Sequence, residues 1–372
     1  MSTLGVEEEF LLLDPRTGTN LAVAPDVLAR LNEQAHQEFR PSMLEMVTPV
    51  CTSLAELRGH LLALRAAAAD AAARAGARLT PIAATPVAEP DRTPSDDPRF
   101  HAIARHYGPI ARDPALCGCH VHVGVPSRDE AIEVCGHLRR WLPIVQALAA
   151  NSPLCEGADT GFASWRSVQL LRWPSLGPTP HHGSTAGYDQ AVAALVASGV
   201  MLDESMVLWY ARPSARFPTV EVRVADVCPT AGDTVLIAAL VRALVETARA
   251  EIAAGRPARA VADEPLRAAH WNAARTGVDG TLLDPGSGRA RPAWDLVDDL
   301  LRFVTPALRH HGDQQVVAAE LARIRRDGTG AARQRRILRE DGLPALLDQL
   351  AVRPQNSPPS ALNSRSGVRP SR

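Results

Sequence analysis

The sequence predicts an α+β fold: an antiparallel β-sheet with helices over one face and the other face open to a ligand. Two observations carry this. First, Gly5-Val6-Glu7-Glu8-Glu9-Phe10, Cys119-His120-Val121-His122-Val123 and Thr219-Val220-Glu221-Val222-Arg223-Val224 alternate apolar and polar residues. That is the side-chain period of a strand, and a clear polar face favours antiparallel pairing. Second, capped helical stretches lie between these segments, and from about residue 231 the pattern turns helical throughout.

Taken in order, strands are expected near 4–13, 42–48, 78–84, 116–125, 206–211 and 219–225. Ser53-Leu54-Ala55-Glu56 and Ser127-Arg128-Asp129-Glu130 are capping boxes, each opening a helix of about twenty residues. Segment 86–98, rich in Pro and Asp, reads as a loop. Segment 151–187 carries Gly157, Gly161, Pro174, Gly177, Pro178, Pro180 and Gly183 and reads as a long irregular stretch, a length usually kept for function. Helices follow at 234–254, 264–275, 293–310, 313–327 and 329–350. Residues 1–352 are expected to form one domain, and 353–372, rich in Pro, Ser, Asn and Arg, a disordered tail.

With 46% apolar and 22% charged residues, the 372-residue chain has the composition of a globular protein. A net charge of −1 gives no global field toward nucleic acid or anionic lipid. All 40 basic residues are arginine, so Schiff-base catalysis, a Walker-type lysine and a carbamylated lysine ligand are excluded. Six cysteines are too few for a disulfide scaffold. Alanine-rich runs such as 61–75 are interrupted by charges, so no membrane span is expected. Nor does a basic region with an apolar run precede the first strand, and the expected compartment is the cytoplasm.

The polar strand faces carry unusual chemistry. Glu7 and Glu9 lie on one face about 7 Å apart. Two such carboxylates repel unless a cation sits beside them, and hard oxygen ligands suit Mg²⁺ or Mn²⁺. A solvated edge strand would also explain them. Glu45 stands in the apolar run Met43-Leu44-Glu45-Met46-Val47, where a lone carboxylate needs a partner. Glu38 lies seven residues earlier in a loop. His120 and His122 share a face bordered by Gly118 and Gly124; they could be satisfied core residues, or contact metal or phosphate. Glu221 and Arg223 follow Arg212 and Arg216, and arginine recognises phosphate or carboxylate in a bidentate manner. A salt bridge between neighbouring strands is the plain alternative. Arg166 and Arg172 add positive charge from the long loop. No Gly-x-x-x-x-Gly-Lys, Gly-x-Gly-x-x-Gly, Gly-x-Ser-x-Gly or His-Glu-x-x-His motif occurs, so any ATP would be held by metals and arginines.

These segments resemble the bacterial carboxylate–amine ligases of the glutamate–cysteine ligase type 2 family, in the glutamine-synthetase-like superfamily. The matching stretches are Gly5–Phe10, Glu45 through Thr48-Pro49-Val50-Cys51, Cys117–Val125, Ala150-Asn151-Ser152-Pro153, Gly157–Gly161, and Arg212-Pro213-Ser214 through Pro218–Val224, in family order over about residues 4–250. The resemblance implies a curved antiparallel sheet whose concave face holds ATP and two or three Mg²⁺ or Mn²⁺ ions. By motif, Glu7, His120 and Glu221 would form one ion site and Glu9, Glu38 and Glu45 the other. His122 and Arg223 would face the transferring phosphoryl group, and Arg166 and Arg212 the substrate carboxylates. Two departures stand out: Gln37 replaces the proline the family usually has before the glutamate aligned with Glu38, and Trp165 stands where the family has Tyr.

The implied reaction phosphorylates the γ-carboxylate of glutamate with ATP, and the amine of cysteine or another amine attacks the acyl phosphate, with segment 151–187 as a candidate lid. The resemblance also implies a homo-oligomer. A metal-dependent amidohydrolase opened by His-x-His is a second reading, though it typically wants a bridging carbamylated lysine. A non-catalytic nucleotide or metal sensor of the same fold is a third.

Overall fold

The computed structural model describes residues 2–354. Its strands are β1 (Leu4–Leu13), β2 (Ala35–Gln37), β3 (Met43–Val47), β4 (Arg78–Thr80), β5 (Gly118–Gly124), β6 (Leu154–Cys155), β7 (Ala158–Asp159), β8 (Ala211–Pro213), β9 (Thr219–Asp226), β10 (Thr281–Asp284) and β11 (Arg289–Pro292). Seven of them form one sheet in the order β2-β3-β1-β5-β9-β8, with β4 also on β1, and every pairing is antiparallel. β6-β7 and β10-β11 are separate two-stranded ribbons.

Alternation decides which face is covered. Leu4, Val6, Cys119, Val121, Val123, Val220, Val222 and Val224 point to one side and join the largest core cluster. The helices Leu54–Arg74, Arg128–Leu138, Leu142–Leu148 and Ala231–Ala253 lie against that side. Helix 231–253 is buried around nearly its whole circumference from Val235 to Val245, as a central helix must be. Its N-cap Thr230 accepts from Asp233 N–H.

A buried ion pair ties this layer to the sheet. Glu8, between the two site glutamates, points into the core, where its two oxygens accept from Arg65 Nε (2.8 Å) and Nη2 (2.6 Å). The same guanidinium donates to the carbonyls of Cys228 (2.8 Å) and Pro229 (3.2 Å).

Several boundaries differ from expectation, each for a physical reason. The strand expected at 206–211 begins at Ala211, because Val207 and Trp209 pack with the helix Thr185–Ala197 and Trp209 bridges Gly177 instead of joining the sheet. The helix opened by Ser127 stops after Leu138 and restarts at Leu142, where Pro143 suits a first turn but not a helix interior. The 151–187 stretch contains the helix Trp165–Leu170, capped by Ser164, and the start of helix 185–197, capped by Ser184. Of the tail expected to be disordered, residues 355–372 lie outside the described residues. Among the described residues no helix is long and apolar enough to cross a membrane.

Candidate active site

Strand register assembles the polar face. Glu7 stands opposite His120, Gly5 opposite His122, Glu9 opposite Glu45, and Glu221 opposite both His122 and Arg212. Directly opposed residues share a face, so the five strands β3, β1, β5, β9 and β8 present these side chains as one floor.

Contacts on the floor are close. Glu7 Oε2 lies 3.0 Å from His120 Nδ1, and Glu7 Oε1 lies 3.2 Å from His122 Nε2. That second nitrogen is misaligned for a hydrogen bond and stands without a partner, as does His120 Nε2, 3.7 Å from Glu9 Oε1. His122 Nδ1 and the Thr219 hydroxyl are 3.0 Å apart, which fixes the ring. Glu221 accepts from Arg212 (2.8 and 3.2 Å) and from Arg223.

Charge sorts four of the carboxylates into two groups. Burial alone would raise the Glu7 carboxyl, but the His120 hydrogen bond and the close approach of the His122 ring hold it well below the usual range. Burial likewise opposes Arg223 and Arg212 at Glu221, and the arginines win. Glu38 and Glu45 go the other way. Burial, then Glu9, pushes Glu38 up to about 8; burial, then Glu38, pushes Glu45 well up. These two lack a positive neighbour strong enough to compensate. Burial and then Arg223 lower His120, which favours the neutral imidazole a cation needs.

Two ligand sets therefore come together. Oxygen and nitrogen donors of Glu7, His120 and Glu221 lie within 4.8 Å of one another, and so do those of Glu9, Glu45 and His120. Glu38 lies beside the second set but outside that radius, and its Oε2 accepts from its neighbour Phe39 N–H (3.1 Å). Orphaned imidazole nitrogens, crowded carboxylates and hard oxygen donors fit divalent cations of the Mg²⁺ or Mn²⁺ kind. Arg212, expected at a substrate carboxylate, donates to Glu221 and to the Val207 carbonyl, so most of its donors are engaged within the protein.

A β-bulge adds a residue that alternation hides. Between Cys119 and Val121 the β5–β9 register slips by one, so Asp226 pairs with Gly118 and joins the floor instead of the valine face. Asp226 is buried and accepts from Asn151 N–H, Ser152 Oγ and Ser164 Oγ, each at 2.8 Å. Its Oδ1 lies 3.9 Å from Arg166 Nη1. The start of segment 151–187 is thereby anchored to the sheet. A buried aspartate closing a valine run was the available signal, the same one that marks Glu45.

Above the floor lies a cavity of about 260 Å³, floored by Glu9, Glu38, His120, Arg166 and Arg223 and walled by apolar side chains. Sequence periodicity gave no access to that wall, which gathers from five separate segments. Arg172, added to the positive charge of the site by the sequence, instead pairs with Asp113.

The description Glutamate-cysteine ligase family 2 matches residues 3–349 of the chain. A relative from Salinispora arenicola, named "Putative glutamate--cysteine ligase 2", is 59% identical over 362 residues, 96% of each chain. One from Nocardia farcinica, named "Putative glutamate--cysteine ligase 2-1", is 45% identical over 371 residues, 98% of this chain and 97% of its own. The fold resembles a crystal structure of the glutamate–cysteine ligase of Francisella tularensis in complex with AMP, with a TM-score of 0.71 and 14% identity, over 94% of this chain and 87% of that one. Nothing in these likenesses favours an amidohydrolase or a non-catalytic sensor. An antiparallel, metal-suited floor and a match over nearly the whole described length lead to one assignment: the chain belongs to glutamate–cysteine ligase family 2.

Proposed function

We propose that this protein is an ATP-dependent carboxylate–amine ligase that forms a γ-glutamyl amide. The observation that carries the reading is the pair of carboxylate–imidazole clusters sharing His120, with Arg223 between them and the cavity. Glu7, His120 and Glu221 would hold one Mg²⁺ or Mn²⁺ ion and Glu9, Glu45 and Glu38 another. When bound, such ions neutralise phosphate charge and polarise the transferring group. Arg223 stabilises the equatorial oxygens as the γ-phosphoryl group passes to the glutamate γ-carboxylate, and His122, fixed by Thr219, orients the same group. Arg212 holds Glu221 in position, which leaves Arg166 as the cation for a substrate carboxylate. The acyl phosphate is then attacked by an amine, which is cysteine in the names of the relatives.

The same reading takes residues 1–352 as one ligase domain, expects a homo-oligomer and assigns the protein to the cytoplasm. The test is ADP release with Mg²⁺, ATP and glutamate, with and without an amine. ADP that needs both glutamate and an amine is the expected result; nucleotide turnover indifferent to glutamate would overturn the reading. Arg223→Ala should lower kcat by about 10²–10³ with ATP still bound.

A further inference from the structure

The walls of the cavity are at odds with cysteine as the amine. From Glu9 and Glu38 on its floor, the cavity of about 260 Å³ rises between Phe39, Phe100, Ile103, Trp173, Met206 and Leu208. Phe39 meets Phe100 edge-on at 5.5 Å, and Trp173 leans on Tyr107 at 5.0 Å, so the wall is a packed aromatic surface. Ile103 and Met206, also in the lining, are themselves buried.

The cations around it are mostly spent. Arg40 donates to the carbonyls of Arg92, Ala111 and Asp113. Arg223 is held by Glu221 through Nη1 and, in the ligase reading, its other nitrogens serve the phosphoryl group; Arg212 is held by Glu221 and the Val207 carbonyl. Among the described residues that line the cavity, this leaves Arg166, which lies 3.9 Å from Asp226 and 3.4 Å from the Arg223 carbonyl. Glutamate itself brings an α-carboxylate that needs this arginine. A second amino acid would bring another, and an ionised carboxylate without a counter-cation in an apolar pocket is strongly disfavoured. The cysteine side chain, for its part, would leave most of the apolar wall uncovered.

We infer that the acceptor is a primary amine with an aromatic-sized apolar body and no carboxylate, seated against Trp173, Phe100 and Leu208. The inference rests on the ligase reading. In the step it concerns, the neutral amine nitrogen attacks the acyl carbon of γ-glutamyl phosphate. The bond from that carbon to the phosphate oxygen breaks, phosphate leaves with the electron pair, and the nitrogen loses one proton to solvent. The products are the γ-glutamyl amide and inorganic phosphate.

Hydroxylamine separates the two claims, because it traps an acyl phosphate without needing the cavity wall. The purified protein is given Mg²⁺, ATP and glutamate with hydroxylamine, and in parallel with 2-phenylethylamine or cysteine. Expected are hydroxamate formation and a kcat/KM for 2-phenylethylamine at least tenfold above that for cysteine. Hydroxamate together with cysteine preferred or equal would overturn the inference and leave the ligase reading standing. No hydroxamate would overturn both. Trp173→Ala and, separately, Leu208→Asn should each cut the ratio of the two kcat/KM values several-fold. A ratio unchanged in both would remove the wall from recognition; being a ratio, it is insensitive to partial misfolding.

Discussion

Replacing Arg65 by Met should cost more stability than any single change on the site floor. The side chain is 6% exposed and the Glu8 side chain 2%, and Arg65 makes two bonds to Glu8 and two to the backbone carbonyls of Cys228 and Pro229. Arg65→Met leaves the Glu8 carboxylate in the core with only the Thr234 hydroxyl, and stranding one partner of a buried pair costs about 3–5 kcal/mol. An unfolding entropy of about 2.1 cal/mol/K per residue gives about 0.7 kcal/mol/K for a chain of this size, so the melting temperature should drop by about 4–7 °C. The double variant Glu8→Leu/Arg65→Met removes the stranded charge and leaves only two carbonyls short of donors. It should recover to within about 1–3 °C of the parent, since apolar replacement of both partners is often near neutral. Calorimetry on the three variants decides. An Arg65→Met melting temperature within a degree of the parent, or a double variant no better than the single, would refute the claim that this pair clamps β1 to the helical layer.

The other predictions concern the floor. Glu45→Gln relieves carboxylate crowding in the metal-free protein, so its melting temperature without cations should rise by about 1–2 °C while the Mg²⁺ needed for half-activity increases. In chelator, stability should fall as pH rises from about 4.5 to 8. A carboxyl raised on folding, as Glu38 is to about 8, stabilises the fold below its ordinary value and loses that contribution as pH passes its folded one. Saturating Mg²⁺ should flatten the slope, and melting curves at pH 5 and 8.5 test both halves. Asp226→Asn puts an amide donor where Asn151 N–H and two serine hydroxyls converge, at a cost of about 1–3 kcal/mol. It should raise the KM for glutamate through a loosened Arg166 more than it lowers kcat, and a pure kcat effect would count against an anchoring role.

The floor was legible in the sequence because one physical rule, side chains alternating along a strand, puts chemistry into a pattern of period two. Glu7, Glu9, His120, His122, Glu221 and Arg223 follow it, and the sheet register brings them together. Where the rule breaks, legibility ends. The bulge in β9 moves Asp226 to the other face; an aspartate closing a valine run marks the residue, but nothing in Val224-Ala225-Asp226 announces the change of face. Glu8 reads as one more polar residue, yet alternation sends it into the core, and its partner Arg65 lies in a helix whose run of alanines gives no hint of a charge pair. The cavity wall was out of reach for a third reason. Its residues come from segments around 39, 100, 113, 173 and 206, and only tertiary packing brings them together.

The balance of charge on the floor makes one further demand. Glu7, Glu9, Glu38, Glu45 and Glu221 face Arg223 and Arg212, and burial lowers His120 toward its neutral form. Carboxylates outnumber fixed cations, and burial and neighbouring carboxylates have already pushed Glu38 and Glu45 toward protonation. A triphosphate approaching that surface meets like charge in a partly desolvated setting, where Coulomb repulsion is stronger than in water. Arginine alone cannot offset it, because Glu221 already partly neutralises Arg223 and Arg212, and Asp226 stands beside Arg166. ATP should therefore bind measurably only with a divalent cation, and Glu7→Gln should weaken Mg-ATP while modestly improving the weak binding of metal-free ATP. Calorimetric titration with and without chelator reads both. If ATP bound equally tightly in excess chelator, the carboxylates would not be cation ligands, and the floor would have to be read as a set of strand-edge ion pairs.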